Sequence, residues 1–109
     1  MQTDYVLVLT TLPADADAAA FAHTLVDARL AACVNVMPLM DSVYRWEGQV
    51  SRDGERQLFM KTSRQCIAGL WEHVRKLHPY DMPEFIVLPI VDGNDAYLRW
   101  VGESTRTTE

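Results

Sequence analysis

The sequence predicts an α+β fold of the ferredoxin-like class, with elements in the order β-α-β-β-α-β and an extra C-terminal helix. Three observations predict it. Two segments with helical spacing of apolar residues each lie between segments rich in strand-forming residues. Glu47-Gly48 provides a tight-turn signal between the two middle strands, which predicts a hairpin there. The chain has 109 residues and neither repeats nor a linker, so residues 1–109 are predicted to form a single domain.

The first half of the chain is predicted to form a strand, a helix and a second strand. Tyr5–Leu9 is a continuous apolar run, typical of a buried strand. Apolar residues then recur at helical spacing and predict a helix over residues 15–31, with two aspartates favouring its positive N-terminal end. Cys33–Met37 follows as a strand, and Pro38 requires it to bend, bulge or lie at a sheet edge.

The middle of the chain contains two turn signals and one returning strand. The first signal is Glu47-Gly48, and the second is Asp53-Gly54. A strand over residues 55–62 follows the second signal. Ser63 is then predicted to cap a helix.

The last part of the chain is predicted to contain a helix, a strand and a final helix. The first of these helices ends at Pro79, because proline disfavours the helical conformation of the residue before it. Residues 85–91 form a strand, which Pro89 restricts to an edge or a bulge. Asn94 or Asp95 caps the final helix. The helix before Pro79 has the clearest apolar stripe, formed by Ile67, Leu70, Trp71, Val74 and Leu77.

Two of the strands are apolar on both sides, which predicts an oligomer. The segments YVLVL and FIVLPIV do not alternate between apolar and polar residues. Two helices can cover one face of the sheet, and a chain of this length has little left to cover the other. A second subunit, helped by the last helix, is the expected cover.

Charge and cysteine content exclude several classes of function. The formal net charge is -5, with no clustered basic face, so neither nucleic acid nor an anionic membrane surface is an expected partner. No apolar run reaches the roughly 20 residues of a membrane-spanning helix. The N-terminus has no basic region typical of a signal peptide. Cys33 and Cys66 form no disulfide framework, so a reducing, cytoplasmic location is expected.

No catalytic motif is present, and the protein is not expected to be an enzyme. Acylphosphatases bind phosphate after the first strand, but residues 11–15 here are acidic and contain neither glycine nor arginine. No serine lies in a nucleophile elbow. His23 and His73 are predicted to be solvated helix residues, and both cysteines to be small packed side chains.

Two segments remain as candidate functional sites. Tyr44 and Trp46 lie on one face of a strand, where they form either intrachain packing or the anchor of a subunit interface. The segment His78-Pro79-Tyr80-Asp81-Met82-Pro83-Glu84, called the HPYDMPE loop below, is either a rigid turn or a metal site. His78 and Glu84 are the candidate ligands, since imidazole and carboxylate suit zinc or copper.

Several segments together resemble the CutA family of divalent-cation-tolerance proteins. They are ARLAACVNVMP, SVYRWEG, MKTS, HPYDMPE, VLPI and GNDAYLRWV, in the family's order and spacing. The resemblance implies a homotrimer similar to the P-II signalling proteins, with small effectors bound in clefts between subunits. It also implies an extended central hairpin around Tyr44, Arg45, Trp46 and Glu47 that contacts neighbouring subunits.

The resemblance implies a role in tolerance of copper and other divalent cations. Its proposed copper ligands correspond here to His78 and Glu84, whereas Thr10 stands where the family has a cysteine and Leu77 where some members have a second histidine. The expected function is weak binding of a divalent metal such as copper, or of a small effector, by a cytoplasmic trimer. The alternative is a P-II-like signalling or scaffolding trimer that binds a small molecule and has no direct metal role.

Overall fold

The structure is a computed structural model that describes residues 4–105. It has five strands, three α-helices and one 3-10 turn, which is one strand more than the predicted order contains. The strands are β1 (Tyr5–Pro13), β2 (Cys33–Val36), β3 (Met40–Trp46), β4 (Gln49–Ser63) and β5 (Ile86–Pro89). The helices are α1 (Ala18–Asp27), α2 (Ile67–Leu77) and α3 (Asp95–Ser104), and the 3-10 turn Arg64–Cys66 leads into α2.

All strands belong to one antiparallel sheet, as predicted. Its order is β2-β4-β1-β5. The first half of β4 extends past the end of β1, and there it pairs with β3. Helices α1 and α2 pack on one face and bury the core there. The core members include Val6, Val8, Phe21, Leu25, Leu58, Met60, Leu70 and Val74. The predicted α+β class, with an antiparallel sheet and three helices, is therefore confirmed.

The opposite face of the sheet is only partly covered. Helix α3 covers one end of it, where the Tyr97 hydroxyl lies 3.3 Å from Lys61 Nζ. Further along, Leu7 pairs with Leu88, which remains 42% exposed, and Leu9 pairs with Ile86, which remains 46% exposed. The apolar second face predicted from the sequence thus exists, and a subunit by itself leaves much of it in contact with water.

Strand β4 is longer than the sequence predicted. The Asp53-Gly54 turn signal was misleading, because both residues are paired within the β3–β4 ladder, Asp53 with Ser42 and Gly54 with Asp41. The chain reverses only at Glu47-Gly48, where φ is 50° and 79°. Positive φ at both central residues is the geometry of the tight hairpin turn whose twist matches the strands. Once this turn sets the register, the next glycine lies inside the strand.

The hairpin turn gives a first testable prediction. Gly48→Ala places a side chain at φ 79°, and we expect the free energy of unfolding to fall by about 1 kcal/mol. Glu47→Asn is the matched change of opposite sign, because asparagine adopts the left-handed conformation more readily than glutamate. Urea denaturation of both variants checks this. A Gly48→Ala protein as stable as the wild type would contradict the tight turn.

Helix α1 is shorter than the predicted range of residues 15–31. It begins after Asp17, whose carboxylate accepts a 3.0 Å hydrogen bond from Ala20 N. It ends where Arg29 adopts φ 62°, with Arg29 N donating to Val26 O and Leu30 N to Leu25 O. These two bonds form a Schellman motif, which satisfies the last carbonyls of the helix. The motif turns Leu30 back onto the core.

The start of α2 differs from the prediction in one detail. Ser63 precedes the helix as predicted, but its hydroxyl makes no capping hydrogen bond to the backbone. Instead it contacts Cys66 Sγ at 3.4 Å and Thr105 Oγ1 at 2.9 Å. Cys66 Sγ in turn lies 3.0 Å from Thr105 O. This buried group joins the start of α2 to the end of α3, and Cys66 is a packed side chain as predicted.

The later elements largely follow the prediction. Helix α2 ends at Leu77, and His78 before the proline is extended. Strand β5 is an edge strand that ends at Pro89, shorter than the predicted residues 85–91. Asn94 caps α3 by accepting a hydrogen bond from Tyr97 N. Between residues 4 and 105, no helix combines the length and apolar character needed to cross a membrane.

Candidate functional site

The HPYDMPE loop and the β3–β4 hairpin enclose an open cleft of about 730 Å³, called the loop–hairpin cleft below. The loop forms one wall, and the inner face of the hairpin forms the other. The cleft is lined by Thr11, Met40, Ser42, Tyr44, Arg45, Trp46, Glu55, Gln57, Tyr80, Asp81, Met82, Pro83 and Glu84. Both segments that the sequence indicated as candidate sites therefore meet at one place.

His78 fixes the start of the loop. Its side chain is buried at 7% exposure, and both ring nitrogens are engaged. Nδ1 accepts a 3.1 Å hydrogen bond from Tyr80 N, and Nε2 lies 2.5 Å from Thr11 O. Because Nδ1 is an acceptor, the neutral ring carries its proton on Nε2 and donates it to the Thr11 carbonyl. The imidazole thus ties the loop to the end of β1.

Tyr80 connects the loop to strand β4. Its hydroxyl donates a 2.8 Å hydrogen bond to Glu55 Oε2 at the base of the cleft. Burial, followed by the hydrogen bond and the negative charge of Glu55, raises the pKa of the Tyr80 phenol far above its usual value. The phenol therefore keeps its proton and remains a donor at neutral pH. Glu55 itself is 8% exposed, which is low for a carboxylate.

Glu84 is held at the end of the loop from two sides. Gln57 Nε2 lies 2.9 Å from Glu84 Oε2 and 2.8 Å from Thr10 O, so one amide group bridges the two residues. The Thr10 hydroxyl donates a 2.7 Å hydrogen bond to the backbone carbonyl of Glu84. Threonine at this position therefore anchors the backbone from which the Glu84 carboxylate projects toward the cleft.

The geometry bears directly on the metal-ligand hypothesis for His78 and Glu84. A metal ion at His78 would have to displace one of the two hydrogen bonds of its ring. Across the described residues, no group of three or more His, Cys, Asp or Glu side chains is arranged to hold a metal ion. The rigid-turn interpretation accounts for every polar contact of His78, and the metal role of both residues stays a prediction.

The hairpin residues are exposed in the subunit. Tyr44 is 40% exposed and Trp46 is 48% exposed, so neither belongs to the intrachain core. The Tyr44 hydroxyl donates to the carboxylate of Asp53 across the hairpin, and this bond raises the pKa of Tyr44. Arg45 and Glu47 are also exposed. The subunit-interface role of Tyr44, Arg45, Trp46 and Glu47 stays a prediction.

Sequence reasoning missed the contribution of β4 to the cleft. Glu55 and Gln57 face the loop, two residues apart on one side of the strand. The sequence does contain a signal, because Glu55 and Gln57 are polar residues at alternate strand positions, with Arg56 between them and the apolar Leu58 directly after. It was hidden because a polar strand face usually points to solvent. His23 and His73 are exposed on their helices, as predicted.

Comparison with known proteins places this sequence and fold in a family. The model of the family described as "CutA1 divalent ion tolerance protein" matches residues 6–104. The Divalent-cation tolerance protein CutA of Thermus thermophilus is 46% identical over 91% of this chain and 96% of its own. The Divalent-cation tolerance protein CutA of Pectobacterium atrosepticum is 41% identical over 94% of this chain and 94% of its own. The chain spans about half (56%) of the longer "Protein CutA, chloroplastic" of Arabidopsis thaliana, with 45% identity.

The relatives share the fold of this chain as well as its sequence. The solved structure of the Cut A1 divalent cation tolerance protein of Thermus thermophilus has a TM-score of 0.90 at 45% identity, covering 94% of this chain and 99% of the other. That of CutA1 from Oryza sativa has a TM-score of 0.91 at 42% identity, covering 97% of each chain. The chain belongs to the CutA1 divalent ion tolerance family.

Proposed function

We propose that this protein is a non-catalytic, cytoplasmic homotrimer that acts in divalent-cation tolerance by binding a small ligand in the loop–hairpin cleft. The observation that carries the proposal is the cleft itself. Its volume of about 730 Å³ falls within the roughly 300–1,000 Å³ typical of small-molecule sites. Its walls are fixed by the hydrogen bonds of His78, Tyr80 and Glu84 before any ligand enters.

Three further observations support the trimer and the non-catalytic role. The uncovered sheet face and the exposed hairpin supply apolar surface for neighbouring subunits. A neighbour beside Trp46 would close the open side of the cleft, as in a P-II-like signalling trimer. The names of the relatives describe tolerance proteins rather than enzymes.

Equilibrium dialysis against copper, zinc and a panel of small molecules that includes nucleotides tests this proposal. We expect at least one compound to bind with a stoichiometry of one per subunit, and light scattering to give three times the 12.4 kDa chain mass. A monomer mass at micromolar concentration would refute the trimer. Failure of every compound in a wide panel would refute the ligand-binding role.

Direct metal binding is the second candidate function, and the position of Glu84 favours it. Gln57 holds Oε2 of Glu84, which leaves Oε1 free to coordinate an ion at the cleft wall. His78 could join only by giving up the Tyr80 or the Thr11 hydrogen bond. With so few ligands we expect weak binding, with copper(II) favoured over zinc on the general affinity order.

Calorimetric titration of copper(II) into the wild type, Glu84→Gln and His78→Ala tests the metal hypothesis. We expect weak binding by the wild type and loss of the heat signal in both variants, with the mass of the assembly unchanged. Glu72→Gln, on the outer surface of α2, removes a carboxylate elsewhere and is the control. Equal binding by all four proteins would exclude His78 and Glu84 as ligands.

A further inference from the structure

Glu55 is the cleft residue whose charge the subunit does not balance. Its side chain is 8% exposed, and no ion pair within residues 4–105 involves it. Oε2 accepts the hydrogen bond from Tyr80, which leaves the negative charge in place. A carboxylate withdrawn from water without a cation beside it is energetically unfavourable. The arrangement favours a cation that comes from outside the subunit.

The second oxygen of Glu55 is accessible to such a cation. The described residues contain no buried side-chain oxygen or nitrogen without a hydrogen-bond partner. Oε1 of Glu55 has no donor among those residues, so it retains some surface accessible to solvent, and Glu55 is a lining residue of the cleft. The hydrogen bond at Oε2 restrains the carboxylate and leaves Oε1 available as an acceptor for an incoming group.

The other charges around the cleft have the same sign. Asp81 and Glu84 add two carboxylates to its lining, whereas Arg45 is the one basic residue among the lining residues. The Arg45 guanidinium lies 3.4 Å from Gly48 O, toward the tip of the hairpin. Carboxylates therefore outnumber cationic groups by three to one in the lining, and the resulting field attracts cations.

The remaining lining is aromatic and apolar, which a bare metal ion does not need. Tyr44, Trp46 and Tyr80 contribute rings, and Met40 and Met82 contribute flexible apolar side chains. Aromatic faces attract organic cations, and tryptophan does so most strongly. A volume of about 730 Å³ is also many times that of one ion. These features together match a ligand with a charged end and an apolar body.

We propose that the loop–hairpin cleft binds a small organic cation, a protonated amine with an apolar body, whose ammonium group is held by Glu55. The apolar body lies against Trp46 and Met82. This inference rests on the proposed ligand-binding function and specifies the chemistry of that ligand. Glu55, a residue of strand β4 that the metal hypothesis does not use, becomes the principal specificity determinant of the site.

The test uses three probes of nearly the same shape that differ in charge: benzylamine as the cation, benzyl alcohol as the neutral analogue and benzoate as the anion. Each is titrated calorimetrically into the full-length protein at neutral pH, with a chelator present to exclude metal ions. We expect benzylamine to bind, and benzyl alcohol and benzoate to bind about tenfold more weakly or not at all, because a charged hydrogen bond is lost.

Two variants assign the effect to Glu55. Glu55→Gln keeps an acceptor for the Tyr80 hydroxyl, so the loop is expected to stay in place, and we expect benzylamine affinity to fall about tenfold. Glu72→Gln changes the net charge equally on the exposed surface of α2 and should bind benzylamine as the wild type does. An equal loss in both variants would show that only overall charge matters and would overturn the inference.

The remaining outcomes separate this inference from the proposed function. Equal affinity for benzylamine and benzyl alcohol would leave a ligand-binding cleft but overturn its cation preference. Binding of none of the three, with another compound of the dialysis panel bound, would overturn the inference alone. A third outcome is that Glu55→Gln assembles more weakly and the wild type binds no benzylamine. A lysine or arginine of another copy would then fill the cleft, and the inference would be overturned.

Discussion

Leu70→Ala is expected to lower the free energy of unfolding by about 2–5 kcal/mol. Leu70 lies at the centre of α2, is 0% exposed and belongs to the core cluster against the sheet. Truncation removes the transfer free energy of the buried atoms and leaves a cavity that the packed neighbours fill only in part. Urea denaturation at a fixed subunit concentration measures the loss.

The matched control lies about two turns further along the same helix. Leu77 belongs to the apolar pattern of the sequence, but in the structure it is 46% exposed. We expect Leu77→Ala to cost less than about 1 kcal/mol, as surface substitutions do. Equal losses for Leu70→Ala and Leu77→Ala would contradict the orientation of α2 on the sheet. Periodicity alone predicts equal losses, so the pair separates the structure from the pattern.

The second large effect concerns assembly. Trp46→Ala is expected to dissociate the proposed trimer at concentrations at which the wild type stays assembled. Trp46 is 48% exposed at the end of β3, so its truncation removes little from the subunit core. A tryptophan anchor at an interface contributes about 2 kcal/mol or more, and the proposed trimer would contain three such anchors.

Light scattering over a concentration series, with circular dichroism of the same samples, measures assembly and fold separately. We expect a lower mass for Trp46→Ala and an unchanged spectrum. Lys76→Ala, on the exposed side of α2, should retain the wild-type mass throughout. If the Trp46→Ala protein remains fully trimeric at nanomolar concentration, Trp46 is not an interface anchor. Its role would then be limited to lining the cleft.

Local chemistry explains what the sequence predicted well. The end of α2 at Leu77 follows from Pro79 alone, and the hairpin turn follows from Glu47-Gly48. The aspartates also place the start of α1 to within three residues, because the Asp17 side chain bonds the first turn of a helix that begins at Ala18 rather than at residue 15. Each of these features depends on residues within one turn of the chain, and a linear pattern contains that information.

Features that depend on distant or unusual residues were not predictable. No residue near Arg29 in the sequence indicates its left-handed conformation, because that conformation is typical of glycine at the end of a helix. The predicted α1 therefore ended later than the observed helix. The function of the His78 ring depends on the carbonyl of Thr11, which is distant in sequence. The role of Gln57 depends on both Thr10 and Glu84, and only the sheet register brings the three together.

The long β4 strand has a consequence for the order in which the protein folds. Its first half pairs with β3 through the Glu47-Gly48 turn, a contact between neighbouring parts of the chain. Its second half pairs with β1, from Pro13 with Glu55 to Tyr5 with Ser63, so these partners are far apart in sequence. Contacts of short sequence separation form with less loss of chain entropy. The hairpin can therefore form first and present Leu58 and Met60, already extended, as a template on which β1 and the two core helices condense.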